Sequence, residues 1–139
     1  MKADELMPGD WVRVNHDGLC IRKNSIVEVR GIDADDKLAE KGLIGSVHCR
    51  PLDDDQFEGG IWCEHLEPIP LTPEILEKNG FISGDFYAEL LYKDWQIMSD
   101  CEHLAARCRD GWNFDIPCQF VHELQHALRL CGIEKEIEI

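Results

Sequence analysis

The sequence lacks the features that mark most nucleic-acid-binding and membrane proteins. Twenty-eight Asp and Glu residues outnumber fourteen Lys and Arg residues, so the net charge is −14. The arginines are scattered and form no basic stripe, so we expect no direct nucleic-acid binding. No apolar run approaches the roughly 20 residues of a membrane-spanning helix. Because a negative field also repels anionic lipids, we expect no membrane association.

Signals for secretion and for disulfide bonding are also missing. The first residues, Met1 to Leu6, contain no apolar segment of the kind found in a signal peptide. The seven cysteines are odd in number and include no C-x-x-C pair, the spacing typical of zinc ribbons and thiol redox sites. We therefore expect reduced thiols and a cytoplasmic location.

Most short motifs of catalysis are absent. The chain has no G-x-S-x-G turn for a serine nucleophile, and no G-x-G-x-x-G or Walker A loop for nucleotide phosphates. It also has no internal repeat and no low-complexity segment. These absences exclude the commonest routes to hydrolysis and nucleotide use, and they leave one helical motif as the main candidate for an enzyme.

What the chain does contain is the pattern of an α+β protein. Hydrophobic residues make up 44% and charged residues 30%, as in a globular domain. We predict two lobes, 1–70 and 71–139, with a single compact domain as the alternative. Short runs rich in β-branched and aromatic residues predict a small SH3-like barrel or curled antiparallel sheet in the first lobe. These runs are 11–14, 20–22, 25–30, 42–48 and 61–63.

A short helix is predicted to link the two lobes. Thr72 is a good N-cap residue, and Pro73 suits the first helical position. Gly80 can adopt the positive φ that ends a helix, which would let Phe81 fold back on Leu76. We interpret this segment as structural.

The sequence of the second lobe predicts a small antiparallel sheet with one C-terminal helix packed against it. Strands are expected at 86–92 and 95–98, while 103–108 fits either a strand or a helical turn. The final helix is expected to start near Asp115 and to end near Gly132. Its core-facing stripe comprises Phe120, Val121, Leu124, Leu128 and Cys131. The tail, 133–139, fits either an edge strand or a frayed end.

The sharpest chemical motif is H-E-x-x-H at residues 122–126. In zinc peptidases the two histidines bind the metal and the glutamate activates a water molecule. Here His122 and His126 would be the metal ligands and Glu123 the catalytic residue. The helical wheel, however, places both histidines on the solvent side, with Arg129 one turn further along the same face. Only thirteen residues follow His126, so a third ligand would have to be Glu134, Glu136 or Glu138 in the tail, or come from upstream.

A structural zinc site is a second metal hypothesis. Zinc accepts cysteine and histidine in any combination of four, but the spacing in this chain matches no familiar pairing. The candidates within one span are Cys101, His103, Cys108, Cys118, His122 and His126. We predict no metal and no cofactor, with zinc as the alternative.

Two tryptophans and two arginines suggest a ligand site. Trp95 and Trp112 lie near predicted turns, with Arg107 and Arg109 close by in sequence. A tryptophan face and a guanidinium group can together hold a planar, anionic ligand such as a nucleotide. We predict these four as ligand-binding residues. The alternative is that each tryptophan anchors the core.

Three segments resemble a family of short uncharacterised proteins from gut-bacterial prophages and other mobile elements. They are ELMPGDWV at 5–12, EPIPLTPEILEKNGF at 67–81 and VHELQHAL at 121–128. Members often have Gln at the position of Glu123 and Asn at the position of His126. Those residues could not support a metallopeptidase, so the resemblance implies that H-E-x-x-H is incidental here.

These observations predict a non-enzymatic binding protein in the cytoplasm of a bacterial host cell. By analogy, the resemblance favours a host-defence inhibitor that sequesters a small nucleotide-like ligand or blocks a host protein. A homo-oligomer would create a composite pocket between chains, and two-fold symmetry is the arrangement expected first. The alternatives are an H-E-x-x-H zinc-dependent hydrolase and a structural accessory protein of a phage or mobile element.

Overall fold

The computed structural model describes residues 1–18, 21–33, 46–53 and 58–139. They form two compact units, Met1–Ile69 and Pro70–Ile139. Each unit contains a five-stranded antiparallel sheet, and the two α-helices of the described ranges lie in the second unit. The α+β fold class is therefore confirmed. No helix in these ranges is both long enough and apolar enough to cross a bilayer.

The sheet of the first unit has the strand order β4-β3-β2-β1-β5. Its strands are β1 (Trp11–Val14), β2 (Ile26–Asp33), β3 (Ser46–Pro51), β4 (Gly59–Trp62) and β5 (Leu66–Glu67). Alternate residues of β1 and β3 are buried, and they join Val27 and Val29 of β2 in one apolar core. A bulge between Val29 and Gly31 shifts the register of β2. Bulges bend a strand and increase its twist, which suits a curled sheet.

Four of the five predicted strands of the first lobe correspond to β1, β2, β3 and β4. The prediction at 20–22 is wrong for Ile21 and Arg22, which lie in the connection between β1 and β2. The chain reverses there, because Asn24 N–H donates to the carbonyl of Val14 at 2.7 Å. Residues 20 and 42–45 of the predicted strands lie outside the described residues.

The sheet of the second unit has the strand order β10-β9-β8-β7-β6. Its strands are β6 (Ile82–Ser83), β7 (Ala88–Tyr92), β8 (Trp95–Ser99), β9 (His103–Cys108) and β10 (Asn113–Pro117). The segment 103–108 is thus a strand and not a helical turn. The inner face of this sheet is buried and carries Ala88, Leu90, Ile97, Ser99, Leu104 and Ala106.

Helix α1 (Pro73–Lys78) forms as predicted, with both ends fixed by local contacts. The Thr72 hydroxyl accepts a hydrogen bond from the Ile75 N–H at 3.3 Å. At the other end Gly80 has φ +86°, and the N–H groups of Gly80 and Phe81 donate to carbonyls of the last turn at 3.0 Å. These two bonds form a Schellman motif, which satisfies carbonyls that the helix leaves unpaired.

Replacing the cap residue of α1 is expected to lower stability modestly. Thr72→Ala removes the hydroxyl that accepts the Ile75 N–H, so the free energy of unfolding should fall by about 1 kcal/mol. Thr72→Ser keeps the hydroxyl and should retain most of the stability. Urea denaturation of the three proteins measures the difference, and equal midpoints would show that the cap is dispensable.

Helix α2 (Val121–Leu130) begins later than predicted. The expected start near Asp115 is wrong, because residues 113–117 form β10. This strand pairs with β9 along its whole length, and Pro117 lies opposite His103. Since β10 is an edge strand, the N–H that proline lacks is not required there. The end of the helix next to Gly132 is confirmed.

The C-terminal tail neither pairs as a strand nor frays. Ile133 and Ile137 are buried, and the fully buried side chain of Asn79 holds the tail at the end of α1. The Asn79 amide nitrogen donates to the carbonyls of Ile75 and Glu138 at 2.7 Å each, and its oxygen accepts the Glu138 N–H at 2.9 Å. The Lys135 ammonium also donates to the Asn79 carbonyl.

Candidate functional site

The H-E-x-x-H histidines do not lie on the solvent side as predicted. His122 is only 5% exposed and His126 is half-buried. The prediction is wrong because α2 buries a wider arc than its apolar stripe, and Gln125 is buried as well. A helical wheel identifies only the apolar face of the helix, whereas in the structure a second side of α2, with His122 and Gln125, is also buried.

The two histidine rings are close to each other and lie against an aromatic ring. Their centroids are 5.8 Å apart in an edge-on arrangement, and Phe120 stacks on His122 at 5.9 Å. Within the described ranges, no group of three or more His, Cys, Asp or Glu side chains could hold a metal ion. A catalytic zinc site requires three protein ligands. The described residues therefore supply two of them at most.

Glu123, the candidate catalytic residue, caps helix α2. Its Oε2 atom accepts hydrogen bonds from the backbone N–H groups of Gln119 at 2.7 Å and Phe120 at 3.1 Å. A carboxylate is favoured at this end of a helix by the unpaired N–H groups and by the helix dipole. The carboxylate thus has a structural role that accounts for its position.

This capping role predicts how Glu123 variants behave. Glu123→Ala should lower the free energy of unfolding by about 1 kcal/mol, because two N–H groups lose their acceptor. Glu123→Gln keeps an acceptor oxygen and should lose less. A water-activating glutamate of a zinc hydrolase would behave differently, with little change in stability on either replacement. Chemical denaturation distinguishes the two roles.

The cysteines of the described ranges are free thiols. Burial raises the pKa of Cys118 to about 12 and that of Cys131 to about 11. At neutral pH and without a metal ion, both side chains are therefore protonated thiols. Both thiols fit the role of small apolar residues in the core.

The structure places two of the four predicted ligand-binding residues on opposite faces of the second sheet. Trp95 lies opposite Cys108 on the inner face and contacts Phe114, with ring centroids 6.3 Å apart. Arg107 directly follows the buried Ala106, so it lies on the outer face. A single ligand could not contact both faces of a sheet.

The other two predicted residues lie in the turn between β9 and β10. Trp112 is 73% exposed, and its carbonyl accepts a hydrogen bond from the Cys108 N–H at 2.7 Å. Arg109 is exposed and lies 3.9 Å from the Asp94 carboxylate. Trp112 and Arg109 are therefore accessible, while Trp95 is half-buried in the sheet.

A different group of side chains forms an apolar surface on the second unit. Its residues, named here the apolar surface, are Ile82, Phe86, Tyr87, Leu91 and Met98. Phe86 is 89% exposed, Ile82 78%, Leu91 70% and Tyr87 45%. Large apolar side chains exposed together in this way commonly mark an interaction site.

Local geometry explains why these side chains point outward. Neighbouring residues of a strand face opposite sides, so burial of Leu90 places Leu91 on the outer face. Phe86 lies in the turn before β7, which is closed by a 2.8 Å hydrogen bond from the Gly84 N–H to the Tyr87 carbonyl. A Cβ atom at Gly84 would lie 2.9 Å from that oxygen, so the turn requires glycine.

Two adjoining clefts lie along the apolar surface. The first has a volume of about 530 Å³ and is lined by Ile82, Phe86, Tyr87 and Leu91, among others. The second has a volume of about 310 Å³ and reaches Met98 on the neighbouring strand. Phe86 and Tyr87 line both clefts, so the two form one continuous surface.

Carboxylates border both clefts. Asp85 and Glu89 line the first, and Asp100 and Asp115 line the second. Hydrogen bonds from the backbone N–H groups of His103 and Glu102 lower the pKa of Asp100, so its carboxylate stays charged at neutral pH. The apolar surface therefore has a negatively charged border.

Sequence reasoning missed the apolar surface, although one signal was available. The pair Leu90-Leu91 in a strand must place one leucine on each face of the sheet. A sheet packed by a helix on one side would therefore expose the other leucine. Recognising Phe86 as a contact residue requires the turn geometry, which the sequence does not show.

Comparison of the chain with models of protein families, with curated proteins and with solved structures finds no match. Membership of a prophage protein family therefore stays a prediction from the three similar segments. A proposal for its function has to rest on its own residues.

Proposed function

We propose that the protein is a non-enzymatic binding protein that holds another protein on its apolar surface. The observation that carries the proposal is the exposure of Phe86, which is 89% accessible and lies beside exposed Ile82 and Leu91. Exposed apolar patches of this kind are uncommon on proteins that contact nothing else. Aromatic residues are also enriched at the centres of protein–protein interfaces.

The shape and charge of the surface favour a protein partner over a nucleotide-like ligand. Sites for small molecules bury most of the ligand within a concave pocket. Here the side chains that line the first cleft are themselves largely exposed. The carboxylates at the border would repel phosphate groups. A protein partner could contact both the exposed apolar side chains and the carboxylates that border them.

The similarity of three segments to proteins of mobile elements suggests a setting for this binding. In that setting the partner is a protein of the bacterial host, and occupation of its surface blocks a defence function. This version specifies the partner, but the proposal does not depend on it, since the exposed aromatic and aliphatic side chains favour a protein partner in either case.

The proposal is tested with peptides selected on the protein itself. A library of random 12-residue peptides is displayed and selected on the full chain, and the recovered peptides are synthesised with a fluorescent label. Their affinities are measured by anisotropy against wild type, Phe86→Asp and Trp112→Asp. The two variants are matched, because each replaces a highly exposed aromatic residue of the second unit with the same charged residue.

Phe86→Asp should weaken peptide binding at least about tenfold, since a charge in the middle of an apolar contact must be desolvated. Trp112→Asp should change the peptide affinity by less than about twofold, as expected for a residue that lies outside the contact. Loss of binding in Trp112→Asp alone would move the site to the turn between β9 and β10. Equal affinity for all three proteins would also overturn the proposal.

A further inference from the structure

We infer that the segment bound at the apolar surface is basic, with lysine or arginine on both sides of a large apolar side chain. The inference rests on the proposed function and names the chemical class of the partner. It follows from the positions of the carboxylates relative to the apolar side chains, which the strand register fixes.

In one row across the outer face of the sheet, two apolar residues lie between two carboxylates, one at each end. The register aligns Glu89 of β7 with Met98 of β8, Met98 with Ala105 of β9, and Ala105 with Asp115 of β10. Neighbouring strands are about 4.8 Å apart, so Glu89 and Asp115 are about 14 Å apart across the sheet. An extended chain covers that distance in about four residues.

The carboxylates of this row are not neutralised within the described part of the chain. Glu89 accepts a hydrogen bond from the neutral amide of Gln96 at 3.0 Å. The ion pairs of the described residues involve neither Glu89 nor Asp115, and they do not involve Asp85 at the rim of the first cleft. A partner can therefore supply the missing positive charges.

Among the described residues, Lys135 and Arg107 lie near the surface, and His103 lines the second cleft with its Nδ1 atom 3.8 Å from the Asp100 carboxylate. Lys135, a residue of the tail, donates a hydrogen bond to the carbonyl of Asn79 at the end of α1. Arg107 lies one row away, where the register aligns it with Gln96 and Asn113. The row from Glu89 to Asp115 thus keeps its negative charge.

The aromatic residues fit the same class of partner. Phe86 and Tyr87 line both clefts together with the carboxylates. The face of an aromatic ring attracts the cationic group of lysine or arginine, and the aliphatic stems of these side chains pack on apolar surface. A basic segment would therefore be bound by charge at its flanks and by apolar contact at its centre.

The test uses the peptides selected on the full chain and two triple variants. The surface variant carries Asp85→Asn, Glu89→Gln and Asp115→Asn. The control variant removes three exposed carboxylates elsewhere, with Asp4→Asn, Asp53→Asn and Asp110→Asn. Each has a net charge of −11 in place of −14, so the variants differ only in where charge is lost. Circular dichroism confirms that both are folded before affinities are measured.

The recovered peptides should carry two or more lysines or arginines about four residues apart. At 50 mM NaCl the surface variant should bind them about tenfold more weakly than wild type, and the control variant at most about twofold more weakly. The difference should shrink at 500 mM NaCl, because salt screens exposed charges.

Three results would overturn the inference. The first is peptides that need Phe86 but are neutral or acidic, which would leave the proposed function intact. The second is equal weakening by both triple variants, which would show a response to net charge alone. The third is displacement of the peptide by an equal concentration of spermidine, which would assign the surface to a small organic cation. Peptides that bind independently of Phe86 would contradict the proposed function itself.

Discussion

Replacement of Asn79 by alanine is expected to destabilise the second unit by about 3 kcal/mol. The side chain is fully buried and makes three hydrogen bonds, one to the carbonyl of Ile75 and two to the backbone of Glu138. Each bond contributes about 1 kcal/mol, and the groups left without a partner add a desolvation cost. The contact joins positions 59 residues apart, so its loss should release the tail from α1.

Hydrogen–deuterium exchange resolved by segment measures this effect. In Asn79→Ala, exchange should accelerate in 133–139 and in α1, while the first unit stays unchanged. Asn79→Asp should be at least as destabilising, because it can still accept the Glu138 N–H but brings a buried carboxylate against the two carbonyls to which the amide donated. The control is Asn15→Ala, which removes one exposed hydrogen bond to the Glu64 carbonyl. Equal exchange in Asn79→Ala and Asn15→Ala would show that Asn79 does not hold the tail.

Stability is also expected to fall steeply above pH 9. Burial raises the pKa of Cys49 and of Cys118 from 9.0 to about 12, with smaller contributions from nearby acidic groups. Between these values the unfolded chain loses the thiol proton while the folded chain keeps it. Unfolding then releases protons, so stability decreases as the pH rises. Each thiol contributes about 1.4 kcal/mol per pH unit, or about 3 kcal/mol for both at pH 10.

Denaturation with urea at pH 8 and pH 10, under reducing conditions, measures this dependence. The double variant Cys49→Ala and Cys118→Ala should be less stable at pH 8, because two buried side chains are shortened. Its further loss between pH 8 and pH 10 should be smaller than that of wild type. An identical loss in both proteins would indicate that these thiols do not cause the alkaline instability.

Local signals account for what could be predicted. The cap at Thr72, the proline at the first helical position and the glycine end of α1 lie within nine residues of one another, so the sequence shows them together. The strands β1 to β4 were recognisable from residue type and turn signals. By contrast, β5 has only two residues, Leu66 and Glu67, and is too short to show an alternating pattern.

The start of α2 was mispredicted because two sites carry similar local signals. Asp115 followed by Pro117 imitates a cap and a first turn, yet this segment pairs with β9 as an edge strand. The cap that forms is the Glu123 carboxylate, which reaches back to the N–H of Phe120. Whether the helix begins at Asp115 or after Phe120 depends on the pairing of 113–117 with β9. The local sequence does not show this pairing.

The features that the sequence did not show depend on contacts of longer range. The burial of His122 depends on packing around a second side of α2, and the position of the tail depends on Asn79, 59 residues away from Glu138. The row from Glu89 to Asp115 is set by the register of four strands. Sequence reasoning identified a binding protein as the hypothesis, whereas the choice of surface required the structure.

The proposed contact is tested most directly by NMR titration of the labelled protein with a peptide selected on it. Amide shifts should change in Ile82–Ser83, at Phe86 and Tyr87, and along β7 to Leu91 and β8 to Met98. The turn that carries Trp112 and the whole first unit should stay unchanged. Changes at 107–112 or in the first unit, with an unaffected apolar surface, would contradict the account.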